Sequence, residues 1–264
     1  MTGNFVTPSS FLYNTVVKIT GIKTRVITTA DTDITQIIDK YITQLSENSV
    51  VAITSKIMAI SQRRIAPLTR DKDELIEEEA AYFLPRSLSK YNLCITISHN
   101  MLGAAAGIDE SNANGSYVLW PRDLQESANT IRSFLQTKFN LKHVGVIITD
   151  SKTTPMRWGV TGMCIAHSGF EILKHYDGTP DIFGRLFQYE KLHIGDSLAS
   201  ASVLVMGEGN EQTPLAIIED LPFVSFQDRN PTKEELDAVY IGLDDDLYAP
   251  LLTAVSWKKG KQDR

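Results

Sequence analysis

The run Val144-Gly145-Val146-Ile147-Ile148-Thr149 has no charge and no turn signal, so it reads as a fully apolar, buried strand that ends at Asp150. Ser49-Val50-Val51-Ala52-Ile53-Thr54 is a second buried strand of the same kind. Thr15–Thr20 and Thr24–Thr28 read as strands about a turn at Gly21-Ile22, and Leu93–Ser98 as another. Between them lie helical patterns. Ile34, Ile37, Ile38, Tyr41, Ile42 and Leu45 make one stripe, with Asp31, Thr32 or Asp33 to cap it. Asp71 to Leu84 is a charge-rich amphipathic helix. Asp123 to Phe139 is the clearest helix, with Asp123 as its cap, and Ile194 to Met206 is one rich in small residues. Thr232-Lys233-Glu234-Glu235 is a capping box for a helix through Val239. Strands and helices do not alternate in the rhythm of a doubly wound fold, so the pattern predicts α+β, with mixed or antiparallel sheets and packed helices.

The 264 residues are enough for a sizeable core, in one large domain or two small ones. A net charge of −6 argues against a nucleic-acid partner, which needs a basic face. The locally basic Trp257-Lys258-Lys259-Gly260-Lys261 reads as a frayed, solvated terminus. Cys94 and Cys164 lie in apolar runs, too few for a disulfide framework, and read as small buried hydrophobes. Met1 to Phe5 lacks the start of a signal peptide, and no apolar run reaches the roughly 18 residues of a membrane helix. A cytoplasmic protein without a membrane partner is the expectation.

No phosphate-loop, dinucleotide-binding, zinc-protease or nucleophile-elbow motif is present. His99, His143, His167, His175 and His193 have no ligand spacing. What remains is acidic residues in Gly- and Asn-rich loops: Ala105 to Asn112, Asp150-Ser151, and Met206 to Thr213. Carboxylate and hydroxyl oxygens are hard ligands for Mg²⁺ or Mn²⁺ carrying phosphates. Gly207 and Gly209 permit positive φ and a close backbone approach to phosphate. Each also has a structural reading: Asp109 as a turn cap, Asp150 as a strand end, Gly207 as a helix C-cap.

Taken in order, Ala106-Gly107-Ile108-Asp109-Glu110-Ser111-Asn112, Pro121-Arg122-Asp123-Leu124-Gln125-Glu126-Ser127-Ala128, Val146 to Ser151, Arg157-Trp158-Gly159, Asp177 to Arg185, Asp196-Ser197-Leu198-Ala199 and Leu204 to Gly209, then Pro214, carry a resemblance. The chain resembles the coenzyme F420-0:γ-glutamyl ligase family from residue 13 to 220, as one unit over 1–264 with a C-terminal helical segment at 231–257. The resemblance implies that family's fold, in an intertwined homodimer. It implies joining of L-glutamate to a carboxylated acceptor, coenzyme F420-0 or a relative such as a folate, at the expense of GTP, with ATP as the alternative, and two Mg²⁺ or Mn²⁺ per site. By the same resemblance the metals fall to Asp109, Asp150, Ser151 and Glu208. The nucleotide falls to Gly21, Ile22, Lys23, Thr24, Ser55, Lys56, Asn112 and the loop Met206, Gly207, Glu208, Gly209, Asn210, Glu211, Gln212, Thr213. Arg157 and Lys152, with Arg185, are candidates to bind substrate carboxylates, as charged side chains do; a structural ion pair is the competing reading.

Two departures bear on substrate identity. Ile60 stands where the family has a lysine that contacts nucleotide phosphates, with Lys56 four residues earlier. Ser151-Lys152-Thr153-Thr154 loses a usual Gly-Arg pair while Arg157 and Gly159 stay. They motivate a second reading, a catalytically inactive nucleotide- and metal-binding relative. A third is a metal-dependent phosphatase or nucleotidyl enzyme using the same ligands.

Overall fold

The computed structural model describes residues 16–262. In chain order the elements are β1 (Lys18–Ile22), α1 (Ile34–Tyr41), β2 (Ser49–Thr54), α2 (Ser55–Ser61), β3 (Ile65–Pro67), α3 (Lys72–Glu79), β4 (Tyr82–Leu84), β5 (Ile95–Ser98), β6 (Met101–Ala104) and β7 (Ser116–Val118). There follow α4 (Leu124–Phe139), β8 (Val144–Thr153), β9 (Val160–Ser168), β10 (Leu173–His175), β11 (Lys191–His193), α5 (Ile194–Met206), β12 (Leu215–Glu219), α6 (Lys233–Asp237), α7 (Ala249–Leu252) and β13 (Lys258–Lys259). The architecture is mixed α and β.

The two apolar runs are the heart of the main sheet, ordered β1-β12-β2-β8-β9. β2 and β8 pair in parallel, and every other neighbour is antiparallel. Period-2 alternation sends Val51, Ile53, Val144, Val146 and Ile148 into one core with α1, α2 and α4. It sends Val50, Ala52, Ile147, Ala216 and Ile218 into another with α5. With both faces covered, each buried isoleucine contributes roughly 2 to 3 kcal/mol of transfer free energy. A smaller layer, with β4-β5-β6 and the β3-β7 pair against α3, has its own core around Leu75, Ile76, Ile108 and Leu119.

Several boundaries differ from the sequence pattern because tertiary partners win. The expected Gly21-Ile22 turn is the end of β1, since both residues pair with β12 at Ala216 and Leu215. Thr24–Thr28 is not a strand: Thr24 N–H donates to Gln212 O and Arg25 N–H to the Tyr41 hydroxyl, drawing the chain off the sheet. α1 stops before Leu45, where Lys138 Nζ takes the Asp39 and Ile42 carbonyls at 2.6 and 2.9 Å. The predicted helix to Leu84 ends at Glu79 because Tyr82–Leu84 joins the sheet beside β5. β5 starts at Ile95 rather than Leu93. Asp123 precedes α4 in the left-handed region, and its side chain caps nothing. β8 continues past Asp150 to Thr153, carried by its hairpin with β9. That hairpin holds a bulge: Ile148 faces Ala166 but Thr149 faces Cys164, leaving Ile165 as the extra residue.

The C-terminal segment is less helical than expected. The capping box at Thr232 and Glu235 forms, yet only Lys233–Asp237 and Ala249–Leu252 are helical, with Gly242 and an Asp triplet between them. The basic terminus is not frayed, because Lys258 and Lys259 pair with Phe83 and Tyr82 of β4. Cys94 is buried and Cys164 partly so, both free thiols. Among the described residues no helix is long and apolar enough to cross a membrane. The expected strand start at Thr15, the Met1–Phe5 terminus and residues 13–15 of the resemblance lie outside the described residues.

α5 reaches the sheet through Gly162 of β9, where an added Cβ would lie 2.4 Å from the Ala199 carbonyl oxygen. Gly162→Ala should therefore destabilise by roughly 2 kcal/mol, lowering the midpoint of thermal unfolding by about 5 °C. Gly103→Ala, where a Cβ meets nothing within 4 Å, should leave it within about 1 °C. Circular dichroism melts of the pair check this.

Candidate active site

The topology gathers one set of ends. β2 and β8 run in parallel, so Thr54 and Thr149 finish side by side, with Ser55-Lys56 and Asp150-Ser151 just beyond. β12 runs the other way, so the loop before it, 207–214, lies at the same edge: Leu215 pairs with Ile53 and Thr54 N–H donates to Pro214 O. The end of β1 arrives there too, with Ile22 opposite Leu215. The end of β1, Ser55-Lys56, Asp150-Ser151 and the loop before β12 therefore meet at this edge.

Contacts then run from side chain to side chain. Lys56 Nζ, in the first turn of α2, donates to Asp109 Oδ2 at 2.5 Å and to the Ser111 carbonyl and hydroxyl at 2.8 and 3.0 Å. Asp109 forms an Asx turn, accepting from Ser111 N–H at 2.8 Å. Asn112 Nδ2 donates to Gly209 O at 2.9 Å, bringing the Asp109 loop onto the 207–213 loop. The Ser151 hydroxyl donates to Glu208 Oε1 at 2.6 Å, and Ser151 N–H to Asp150 Oδ1 at 2.7 Å. Asp109, Asp150, Ser151 and Glu208 thus share one locale. Among the described residues, however, no three His, Cys, Asp or Glu side chains stand close enough together to enclose a metal ion. Lys56 and Ser151 link the carboxylates instead.

Electrostatics single out Asp150. Burial pushes its carboxyl up to about 6, against the Ser151 N–H, the Trp120 indole, the Ser55 hydroxyl and the Lys56 charge, which all pull it down. Asp109 goes the other way. Burial raises it, but the hydrogen bonds from Lys56 and Ser111 prevail and hold it below the ordinary carboxylate value. Trp120 is the residue that sequence reasoning missed. Its ring stacks on His99 with centroids 5.3 Å apart, and its edge lies against Gly107. Gly107 has φ +73°, and a Cβ there would sit 2.3 Å from Trp120 Nε1. The indole N–H is buried and closes no hydrogen bond of normal geometry. Nothing in the spacing marked this tryptophan, because the ring reaches the site only through the fold of the small layer.

The other candidates are placed as follows. Gly21 packs against Thr213, and Thr24 N–H holds Gln212 O. Lys23 is exposed, Ile22 partly buried, and Met206 buried in the core under α5. Gly207 has φ +80° and caps α5, whereas Gly209 does not use positive φ and instead donates its N–H to Glu211 Oε2 at 2.9 Å. Asn210 is exposed. Lys152 pairs with Asp196 at 2.5 Å, in the first turn of α5. Arg157 lies exposed in the turn between β8 and β9 and, among the described residues, makes no ion pair. Ile60 is buried in the core, while Lys56 faces the carboxylates.

A mixed sheet thus carries carboxylates, a lysine and a glycine-bearing loop together at one edge. The sequence pattern described as F420-0:Gamma-glutamyl ligase matches residues 21–220. The coenzyme F420:L-glutamate ligase of Methanococcus maripaludis strain C7 is 30% identical over 218 residues, 75% of this chain and 85% of that protein. That of Methanocaldococcus jannaschii is 36% identical over 152 residues, 56% of this chain and 61% of that protein. The Methanopyrus kandleri protein of the same name is 43% identical over 122 residues, 46% of this chain, and the match spans about half (48%) of that relative. The chain belongs to the F420-0:γ-glutamyl ligase family, whose relatives so named are amide-bond-forming enzymes.

The raised pKa sets a sign for stability. The folded state holds the Asp150 proton more tightly than the unfolded chain does, so above pH 6 the ionised carboxylate costs stability that is recovered as pH falls toward 4. In EDTA, Asp150→Asn should melt above wild type at pH 8, by at most about 3 kcal/mol, and the gap should close by pH 4. Calorimetry across that range tests it.

Proposed function

We propose that this protein joins L-glutamate to a carboxylated small-molecule acceptor, coenzyme F420-0 or a relative such as a folate, using GTP or ATP and a divalent metal. The observation that carries the proposal is the single locale shared by Asp109, Asp150, Ser151 and Glu208 with Lys56 and the glycine-bearing loop at its rim. The donor set is all oxygen, three carboxylates and a hydroxyl, and the partly buried Asp150 is a carboxyl that a hard cation would stabilise in its ionised form. Bound Mg²⁺ or Mn²⁺ ions, two by this reading, would neutralise phosphate charge there.

A carboxylate resists attack by an amine, so the acceptor carboxylate first takes the γ-phosphoryl group, giving an acyl phosphate and a nucleoside diphosphate. The glutamate amine then attacks the acyl carbon, loses its proton, and phosphate leaves with the bonding electrons. Such transfer needs mainly positioning and charge neutralisation. By this reading Lys56, now paired with Asp109, would meet phosphate oxygens, and the 207–213 loop, tied to the Asp109 loop through Asn112, would supply backbone N–H groups. Arg157, exposed in the hairpin turn, is the candidate for a substrate carboxylate. Lys152, held by Asp196, works by fixing α5 against β8.

We also infer a homodimer. Met156, Trp158, Ile182, Phe183, Tyr189 and Leu204 are each more than four-fifths exposed, and by this reading a second copy of the chain would cover them. The inactive-relative reading loses force because the position of Ile60 points into the core and Lys56 stands at the carboxylates.

Mass spectrometry of reactions with GTP or ATP, Mn²⁺ or Mg²⁺, L-glutamate and either F420-0 or tetrahydrofolate should reveal one acceptor heavier by glutamyl units. Asp109→Asn or Lys56→Ala should slow that product by roughly 10²-fold or more. Phosphate release independent of glutamate would instead favour the phosphatase reading. Light scattering should give twice 29.4 kDa, and Trp158→Asp should weaken the pair.

A further inference from the structure

The C-terminal strand ends beside the site. After β13, Gly260 N–H donates to Ala81 O at 2.9 Å and Gln262 N–H to Ala80 O at 3.1 Å, so the chain is docked along the small layer to residue 262. Gln262 then clasps His99, its Oε1 accepting from His99 N–H at 2.9 Å and its Nε2 lying 2.7 Å from His99 Nε2. His99 is itself in the left-handed region, at φ +49°. Its ring stacks on Trp120, whose opposite constraint is Gly107. Arg64 fixes the backbone of the same residue, donating from Nε to Trp120 O at 2.9 Å. Trp120 is 7% exposed, and its indole N–H is a buried donor without a closed partner beside the Asp150 carboxyl. Leaving a buried donor open costs roughly 1 to 3 kcal/mol, so its position calls for a use.

We propose that Gln262, acting through the His99 ring, positions Trp120 so that its indole N–H is the hydrogen-bond donor that orients the Asp150 carboxylate. The segment supplying this support lies beyond residue 220, outside the stretch that matches the family. Gln262, His99 and Trp120 are positioning residues. The assignment of Asp150 to the ligand site rests on the ligase reading; the relay itself does not.

The test uses the full-length protein labelled with ¹⁵N at its three tryptophan indoles, without substrates. Trp257 Nε1–H, bonded to Leu252 O at 2.7 Å, and the exposed Trp158 are internal references. Trp120→Phe assigns the third resonance. Asp150→Asn should shift that resonance alone, and Gln262→Ala should shift it and raise its solvent exchange at least several-fold. Gln262→Glu, which keeps both contacts with the other His99 tautomer, should restore the wild-type position. A Trp120 resonance that ignores Asp150→Asn or Gln262→Ala while the references hold would overturn the proposal. Where glutamyl transfer is measurable, Gln262→Ala should lower kcat about tenfold with the nucleotide KM within twofold. Absence of any glutamyl product would remove the ligase reading and leave the indole result to stand by itself.

Discussion

The register of β2 against β8 is the constraint on which the rest depends. Because the two strands are parallel and Thr54 stands opposite Thr149, the residues following each strand emerge at the same edge. The first turn of α2 and the tip of the apolar run are therefore neighbours without any direct sequence relation. A slip of one residue would turn Val51 and Ile53 away from α4 and hand their places to Val50 and Ala52. Burial on both faces fixes the register, and the register fixes the distance between Lys56 and the carboxylates. Stability and site geometry are here the same requirement.

The carboxylates at this edge and beside it are held by protein donors. Asp109 is satisfied by Lys56 and Ser111, Glu208 by Ser151, and Asp196 by Lys152 and the Cys164 N–H. Asp150 has the weakest support of the group, with burial outweighing its donors.

Much of this was legible in the chain itself. The two apolar runs, α4, α5 and the capping box are written in local pattern, and the order of the acidic loops carried the family. What escaped was decided by distant partners. Tyr82–Leu84 has a helical neighbour pattern but joins β5, and Thr24–Thr28 looks extended but is drawn to Gln212 and Tyr41. Lys258 and Lys259 look like a solvated tail, and only the edge of β4 explains their order. Trp120 and His99 carry no spacing signal because they meet across separate loops of the small layer. For Lys152 the sequence left a substrate carboxylate and a structural ion pair both open, since its partner Asp196 lies 44 residues away in sequence.

The extra residue in β9 has a consequence for how this hairpin tolerates change in length. Between Ile165 and Cys164 the strand switches which side chains face α5, so Gly162 and Cys164 meet that helix while Ala166 faces α4. Because β8 alternates without interruption, losing the extra residue would close the ladder with Cys164 next to Ala166 and leave every remaining pair on its own face. The hairpin can therefore give up a residue at the bulge as well as in the turn at 154–159 without turning its outer arm over.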